Sequence, residues 1–343
     1  MKKFLIKISY TVLPVLLLLF GLTAYVTLYI SPKATGDLGH LGLIPFDCQD
    51  IAMDEVQEQL FMDIRQSGIL QSIQADVLTV GDSFSKMGKT GYQNYLVIKG
   101  LSVVNCFRDL YDNPFQYAYN ILDKGLIDST NISVLVVQVG ERDLVHRSET
   151  FDTRKVDMNK LEQESLSDHN RRHANRWSLL RARDYLVYRL YKSPVYQVIL
   201  NKDFFNSKEP RHLYFCCEDV TKELSISGLS KSKVRDVYDV LTQKAHERGV
   251  ELLLMVPVDK YDLYQDYIVD NPYPHPKTII EDAKDIFGNT PHVLLCKYLL
   301  QPLIEKGEKD VFLFDDSHWS NKAAEVVGNE LARRVNELMN KTR

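Results

Sequence analysis

Six short apolar runs, none alternating with polar residues, constrain most strongly what this chain can fold into. They cover residues 75–80, 101–105, 134–139, 250–256, 292–296 and 311–314. Strands of this composition need cover on both faces, which a parallel sheet flanked by helices supplies. Helical patterns separate them, over residues 116–124, 230–248, 278–287 and 321–339. The last of these places Ala323, Val326, Val327, Leu331, Val335 and Leu338 on one face, spaced for docking against a sheet. Strands alternating with helices predict an α/β, doubly wound, mainly parallel sheet, whose sites lie beyond the carboxyl ends of its strands.

Residues 11–30 carry no charge. As a helix, twenty such residues rise about 30 Å, the thickness of a hydrocarbon core. Lys2, Lys3 and Lys7 precede them, so residues 1–10 are expected in the cytoplasm and the rest outside it. This predicts one transmembrane signal anchor in the inner (cytoplasmic) membrane. A cleaved signal peptide is the alternative, but the run is long for one and no small-x-small site follows. Residues 31–74 read as a linker with an entry helix, and residues 75–343 as the main domain. Within it, residues 149–229 are polar and charged and break the pattern. They predict a helical insertion, with a helix over 177–200, either packed as a lid over the site or remote from it.

Lys and Arg number 42 against 46 Asp and Glu, a net charge of −4. That balance leaves no basic footprint for nucleic acid. The five cysteines (Cys48, Cys106, Cys216, Cys217, Cys296) are too few for a disulfide scaffold. Cys106 and Cys296, both at strand ends, are the pair that one bridge in an exported chain would use; buried thiols are the other reading. No ligand spacing suggests a metal, and no cofactor is expected.

Two segments carry the chemistry. Gly81-Asp82-Ser83 ends the first apolar run, where Gly81 permits a sharp turn. Near the other end, Phe314-Asp315-Asp316-Ser317-His318-Trp319-Ser320 sets a histidine two and three residues after paired aspartates. A serine hydroxyl becomes nucleophilic when an imidazole takes its proton, and a carboxylate must fix that imidazole's tautomer. Ser83, His318 and Asp316 or Asp315 supply these groups. A phosphate loop ending in Gly88-Lys89-Thr90 is excluded, because six residues separate Gly81 from Gly88 where that motif has four.

Gly81-Asp82-Ser83-Phe84-Ser85 resembles the first block of the SGNH hydrolase superfamily, and Asp315-Asp316-Ser317-His318 its last. More narrowly, Asp316-Ser317-His318-Trp319-Ser320, the Glu141-Arg142 pair after a strand and Pro257-Val258-Asp259-Lys260-Tyr261 are similar to the alginate O-acetyltransferase (AlgX/AlgJ)-like branch. The resemblance implies a flavodoxin-like, SGNH-type sheet and an exported enzyme that O-acetylates a polysaccharide. Ser83 would carry the acetyl group, His318 act as base and Asp316 orient it, with Asp315 as the rival orienter. The superfamily's third block has asparagine where Arg142 stands, so Arg142 becomes the candidate oxyanion donor, or else pairs with an acid structurally. Asn105, at a strand's carboxyl end, is a second candidate donor. Trp319 is a candidate glycan platform or a wedge for the histidine loop, and Lys260 and Tyr261 are candidate sugar contacts or packing residues at a helix start. His146 is the only rival base. The partners implied are a polysaccharide acceptor and a multi-pass membrane acyltransferase that supplies acetyl groups. An esterase or deacetylase, with water as acceptor, and a non-catalytic component of a polysaccharide modification or secretion complex are the competing functions.

Overall fold

Five of the apolar runs, joined by one further two-residue strand, assemble into one sheet of six parallel strands. These are β1 (Met62–Asp63), β2 (Val77–Gly81), β3 (Val103–Phe107), β4 (Val134–Gln138), β7 (Glu251–Val256) and β8 (Val293–Leu295), in the order β1-β3-β2-β4-β7-β8. The computed structural model describes residues 2–34, 36–46, 58–64, 73–107, 113–155, 179–222, 228–274 and 277–342. Every residue of β2 and β4 is buried, as expected of strands covered on both sides. Helices α3 (Gln93–Ile98), α4 (Pro114–Asp123), α5 (Glu141–Glu149), α8 (Gly228–Glu247), α10 (Ile279–Phe287), α11 (Lys297–Glu305) and α12 (Asn321–Thr342) supply that cover. On α12, Ala323, Val327, Leu331, Val335 and Leu338 are all buried, and helical periodicity puts them on one stripe.

Leaving aside the two-residue edge strand β1, the order is that of flavodoxin-like doubly wound sheets. Its reversal point falls between β2 and β4, which pair in register from Val77↔Val134 to Gly81↔Gln138. The turns after these two strands therefore lie side by side at the carboxyl edge, one leading to Ser83 and the other to Arg142. Gly81 is required there by space: a Cβ would stand 2.0 Å from Ser85 Oγ and 2.5 Å from Gln138 Oε1.

The sequence reading needs three corrections. Residues 311–314 are no strand of the sheet. They close a loop on itself through a single antiparallel bridge, Phe312 to Trp319, with Leu313 N–H donating to the His318 carbonyl (3.1 Å) and Ser320 N–H to that of Val311 (3.0 Å). Their apolar character serves packing of the loop: Phe314 meets Phe46, Phe205 and Tyr214 at ring separations of 5.4–5.5 Å.

Second, the insertion is not purely helical. Its helix α6 (Leu179–Tyr191) ends before Pro194, and β5 (Val195–Ile199) and β6 (His212–Cys216) form an antiparallel pair, followed by α7 (Glu218–Thr221). Val195, Tyr196, Val198 and Ile199 favour strand over a prolonged helix. The pair is not remote, since Tyr214 of β6 packs on the histidine loop; residues 156–178 lie outside the described residues.

Third, part of the expected linker belongs to the domain. Short helix α2 (Asp37–Gly42) buries Leu38, and the chain beyond it buries Ile44 and Phe46 in the main core. Before it, helix α1 (Lys2–Tyr25) runs on through Lys33 as tighter and wider turns. Ile8–Lys33 is long and apolar enough to cross a membrane, with mean hydropathy 2.1.

The cysteines follow the buried-thiol reading: no disulfide joins Cys106 to Cys296, which are both buried, Cys216 is buried and Cys217 partly exposed, and Cys48 lies outside the described residues.

Phe46 distinguishes core from linker. Phe46→Ala is expected to lower unfolding free energy by about 3–5 kcal/mol in chemical denaturation, the cost of emptying a buried aromatic site. A linker residue would shift it by no more than about 0.5 kcal/mol.

Candidate active site

Asp82 locks the two turns together. Its carboxylate accepts Gly140 N–H (2.6 Å), Gln138 Nε2 (2.7 Å) and Phe84 N–H (3.2 Å), while its own N–H donates to Gln138 Oε1 (3.0 Å). Gln138 Oε1 also accepts the Ser85 hydroxyl (2.9 Å), which meets Tyr92 OH at 3.0 Å. Ser83, half-buried, opens the short 3₁₀ turn Ser83–Lys86 that this network holds.

Asn105 supports the same turn from below. It is buried, donates Nδ2 to the Ser85 carbonyl (2.8 Å) and accepts Thr79 Oγ1 (2.7 Å) and Gln93 Nε2 (3.0 Å). The expectation of an oxyanion donor is corrected on this ground: the amide is engaged inside the protein, holding the Ser83 turn.

The histidine loop crosses the edge from the other side. His318 Nδ1 lies 2.5 Å from Asp316 Oδ1, which also accepts the His318 backbone N–H (2.9 Å). Asp316 Oδ2 accepts the backbone N–H of Asp37 (3.0 Å). Asp315 turns elsewhere, accepting Gly36 N–H (2.6 Å). Of the two aspartates, Asp316 alone reaches the imidazole. Burial disfavours the Asp316 carboxylate, but the hydrogen bond and charge of His318 outweigh it and hold its pKa well below the usual carboxylate range. An ionised carboxylate only accepts, so Nδ1 carries the proton and Nε2 is left with a lone pair.

Nε2 is buried and has no hydrogen-bond partner among the described residues. The imidazole packs edge-on against Phe84, the residue that follows Ser83, at a ring separation of 4.8 Å. Burial opposes the imidazolium, yet the bond to Asp316 and the charges of Asp316 and Asp37 raise the His318 pKa above its ordinary value. Arg142 pulls the other way.

Arg142 pairs with Asp219 of α7, an acid of the insertion. Burial works against its charge, but Asp219 and Asp259 keep the guanidinium cationic. It thus has the acid partner of the structural reading while its field reaches His318.

Trp319 cannot be a glycan platform. It is fully buried and packs on Phe84 at 4.6 Å, so it wedges the histidine loop against the serine turn. Lys260 and Tyr261 are equally buried and do not face a sugar. Tyr261 OH donates to the Tyr273 carbonyl (2.6 Å) and to Asn271 Oδ1 (2.9 Å). Lys260 Nζ donates to the carbonyls of Leu313 (2.6 Å), Phe314 (2.9 Å) and Asp316 (3.0 Å), pinning the loop from inside. Burial pushes its pKa down to about 8, against the pull of Asp316, Asp37 and Asp315. His146 is exposed on α5, one helical turn beyond Arg142.

Asp37, Asp316 and His318 bring three potential ligand atoms within 4.8 Å. Their polar atoms bond Ser317, Asp37 and His318 groups of the loop itself, the pattern of a hydrogen-bonded relay. Sequence reading missed Asp37, Gln138 and Asp219. Asp37 sits in what reads as a linker, and nothing in the pattern marks the other two.

Lys260→Met is expected to lower unfolding free energy by at least about 1–3 kcal/mol in denaturant titration, the cost of one stranded buried acceptor. The three carbonyls otherwise have only a thioether to face.

Residues 219–342 match the family model of the SGNH hydrolase-like domain of the acetyltransferase AlgX. No curated protein and no solved structure matches the chain. The matched span holds β7, β8, α8 to α12 and the loop of Asp316 and His318, and leaves Ser83 outside it. Residues 219–342, the part of the α/β domain that carries the histidine loop, are thus similar to an SGNH hydrolase-like, AlgX-type domain, which supports an enzyme of the esterase or acyltransferase type.

Proposed function

We propose that this chain is a membrane-anchored, extracytoplasmic O-acetyltransferase that carries an acetyl group on Ser83 and passes it to a polysaccharide hydroxyl. The observation that carries the reading is His318: Nδ1 bound to a carboxylate, and a buried, unpartnered Nε2 beside the residue that follows Ser83. Apo acid–base sites commonly tighten only around substrate, so an unmade bond at Nε2 suits a waiting base.

In the proposed reaction Ser83 Oγ attacks the donor's acetyl carbonyl while Nε2 takes the hydroxyl proton. The Ser83 N–H and Arg142 stabilise the tetrahedral oxyanion, and Nε2–H protonates the departing group. A sugar hydroxyl then gives its proton to Nε2 and attacks the acetyl-serine, and Ser83 Oγ leaves with the proton returned. Asp316 holds the tautomer and balances the transient imidazolium. The apolar Ile8–Lys33 helix supports an anchor. The resemblance supports the polysaccharide acceptor and a separate multi-pass acyltransferase as acetyl source.

The full chain in detergent, given p-nitrophenyl acetate, is expected to gain an acetyl group on Ser83 by mass spectrometry and to release it to an added polysaccharide. Ser83→Ala and His318→Ala should each abolish the adduct while melting near the parent temperature. An adduct on another residue, or parent-rate acylation in His318→Ala, rules the assignment out. Release to water alone would favour an esterase.

The pH dependence has a definite sign. The base must be neutral, and its pKa is raised, so the rate falls as pH drops through a value above about 6.5. Asp316→Asn should cut the rate about 10²–10⁴-fold and move that limb to lower pH, since burial then acts with less opposition.

A further inference from the structure

We propose that Asp37, on the segment leaving the membrane-spanning helix, is a second carboxylate positioning His318, so that the histidine loop is assembled only when this membrane-proximal segment is docked. The inference deepens the acyl-transfer reading and rests on it for the direction of the rate effect. Asp37 Oδ2 lies 3.5 Å from His318 Nδ1. Ser317, the residue between Asp316 and His318, donates its N–H to Asp37 Oδ1 (2.6 Å) and its hydroxyl to Asp37 Oδ2. The Asp37 N–H in turn binds Asp316 Oδ2 at 3.0 Å. Asp37 thus grips the two residues before the imidazole without displacing Asp316 from Nδ1.

The segment is held closely enough for this to matter. Gly36 N–H donates to Asp315 Oδ2 (2.6 Å), and Gly39 N–H meets the Asp315 carbonyl at 3.4 Å. A Cβ on Gly36 would stand 2.1 Å from that carbonyl oxygen, so no other residue allows this approach. Leu38, fully buried, anchors the next residue in the core.

The charged groups that act on His318 come from three elements: Asp316 from its own loop, Asp37 from α2 and Arg142 from α5. Lys260, at the start of α9 (Lys260–Tyr264), faces the carboxylates of Asp316, Asp37 and Asp315 from below. When Nε2 takes the serine proton, the imidazolium is flanked by the carboxylates of Asp316 and Asp37. Removing Asp37 leaves Arg142 less opposed, which favours the neutral ring. It also frees Ser317 to turn, and a misplacement of the base by about 1 Å costs about a hundredfold in rate.

The test uses the full chain in detergent, with Asp37→Asn, Asp37→Glu and Ser317→Ala. The His318 pKa is read by ¹⁵N NMR titration of the ring, and Ser83 acylation by p-nitrophenyl acetate across pH. Asp37→Asn is expected to lower the His318 pKa, shift the acidic limb of acylation down, and cut kcat about tenfold to a hundredfold with KM unchanged. Asp37→Glu should restore part of the pKa, and Ser317→Ala should cut kcat with a smaller pKa change. A parent pKa and parent rate in Asp37→Asn overturns the proposal, as does a fall in melting temperature with the pKa unmoved. A lowered pKa in a chain that never acylates Ser83 keeps the positioning role and removes the acyl-transfer reading instead.

Discussion

The contact between Asp316 Oδ1 and His318 Nδ1 is the constraint around which this end of the molecule is arranged. At 2.5 Å and largely out of water, it fixes which ring nitrogen is basic. Its geometry survives because the loop has little freedom. The Phe312–Trp319 bridge closes it, the ammonium of Lys260 gathers three of its carbonyls, and Phe314 is packed among aromatic rings. A histidine on an unsupported loop would spend much of its time in other rotamers, and the bond would be lost to that entropy.

Charge balance ties the same loop to distant parts of the chain. Asp37, Asp315 and Asp316 converge from two segments about 280 residues apart, and Lys260 sits beneath them as a buried cation. Beside them, Asp219 from the insertion and Asp259 from the end of β7 surround Arg142. Burying an unpaired charge costs several kcal/mol, so each of these segments needs the others in place. The insertion and the Asp37 segment are for this reason parts of one electrostatic unit with the sheet edge.

Much of this was legible in sequence. Five of the six apolar runs are strands of the sheet, because burial on both faces leaves little room for any other composition. The order of the motifs then put Gly81-Asp82-Ser83 at a strand end. What was not legible has a common cause. Val195–Ile199 reads as a continued helix when only its charged neighbours are weighed, and residues 311–314 read as a strand when only apolarity is counted. Asp37 stands among Gly and Pro residues that look like a linker. Its role depends on Gly36 approaching Asp315, a contact across 279 positions that no local pattern records.

The residues with the richest chemistry on paper ended as supports, and the reason is general. Asn105, Lys260 and Trp319 all have donors suited to a substrate, yet all three are buried. Ser83 and His318 both stand on turns, which have no ladder of hydrogen bonds to hold them. Each turn carbonyl and N–H must be met by a side chain from below. Asn105 meets the carbonyl of Ser85, Asp82 meets the N–H groups of Phe84 and Gly140, and Lys260 meets three carbonyls before His318. One hydroxyl and one imidazole near the surface thus require a larger set of buried polar groups, chosen for reach and charge. Those groups leave the same kind of motif in a sequence as substrate-binding residues do, and burial alone tells the two apart.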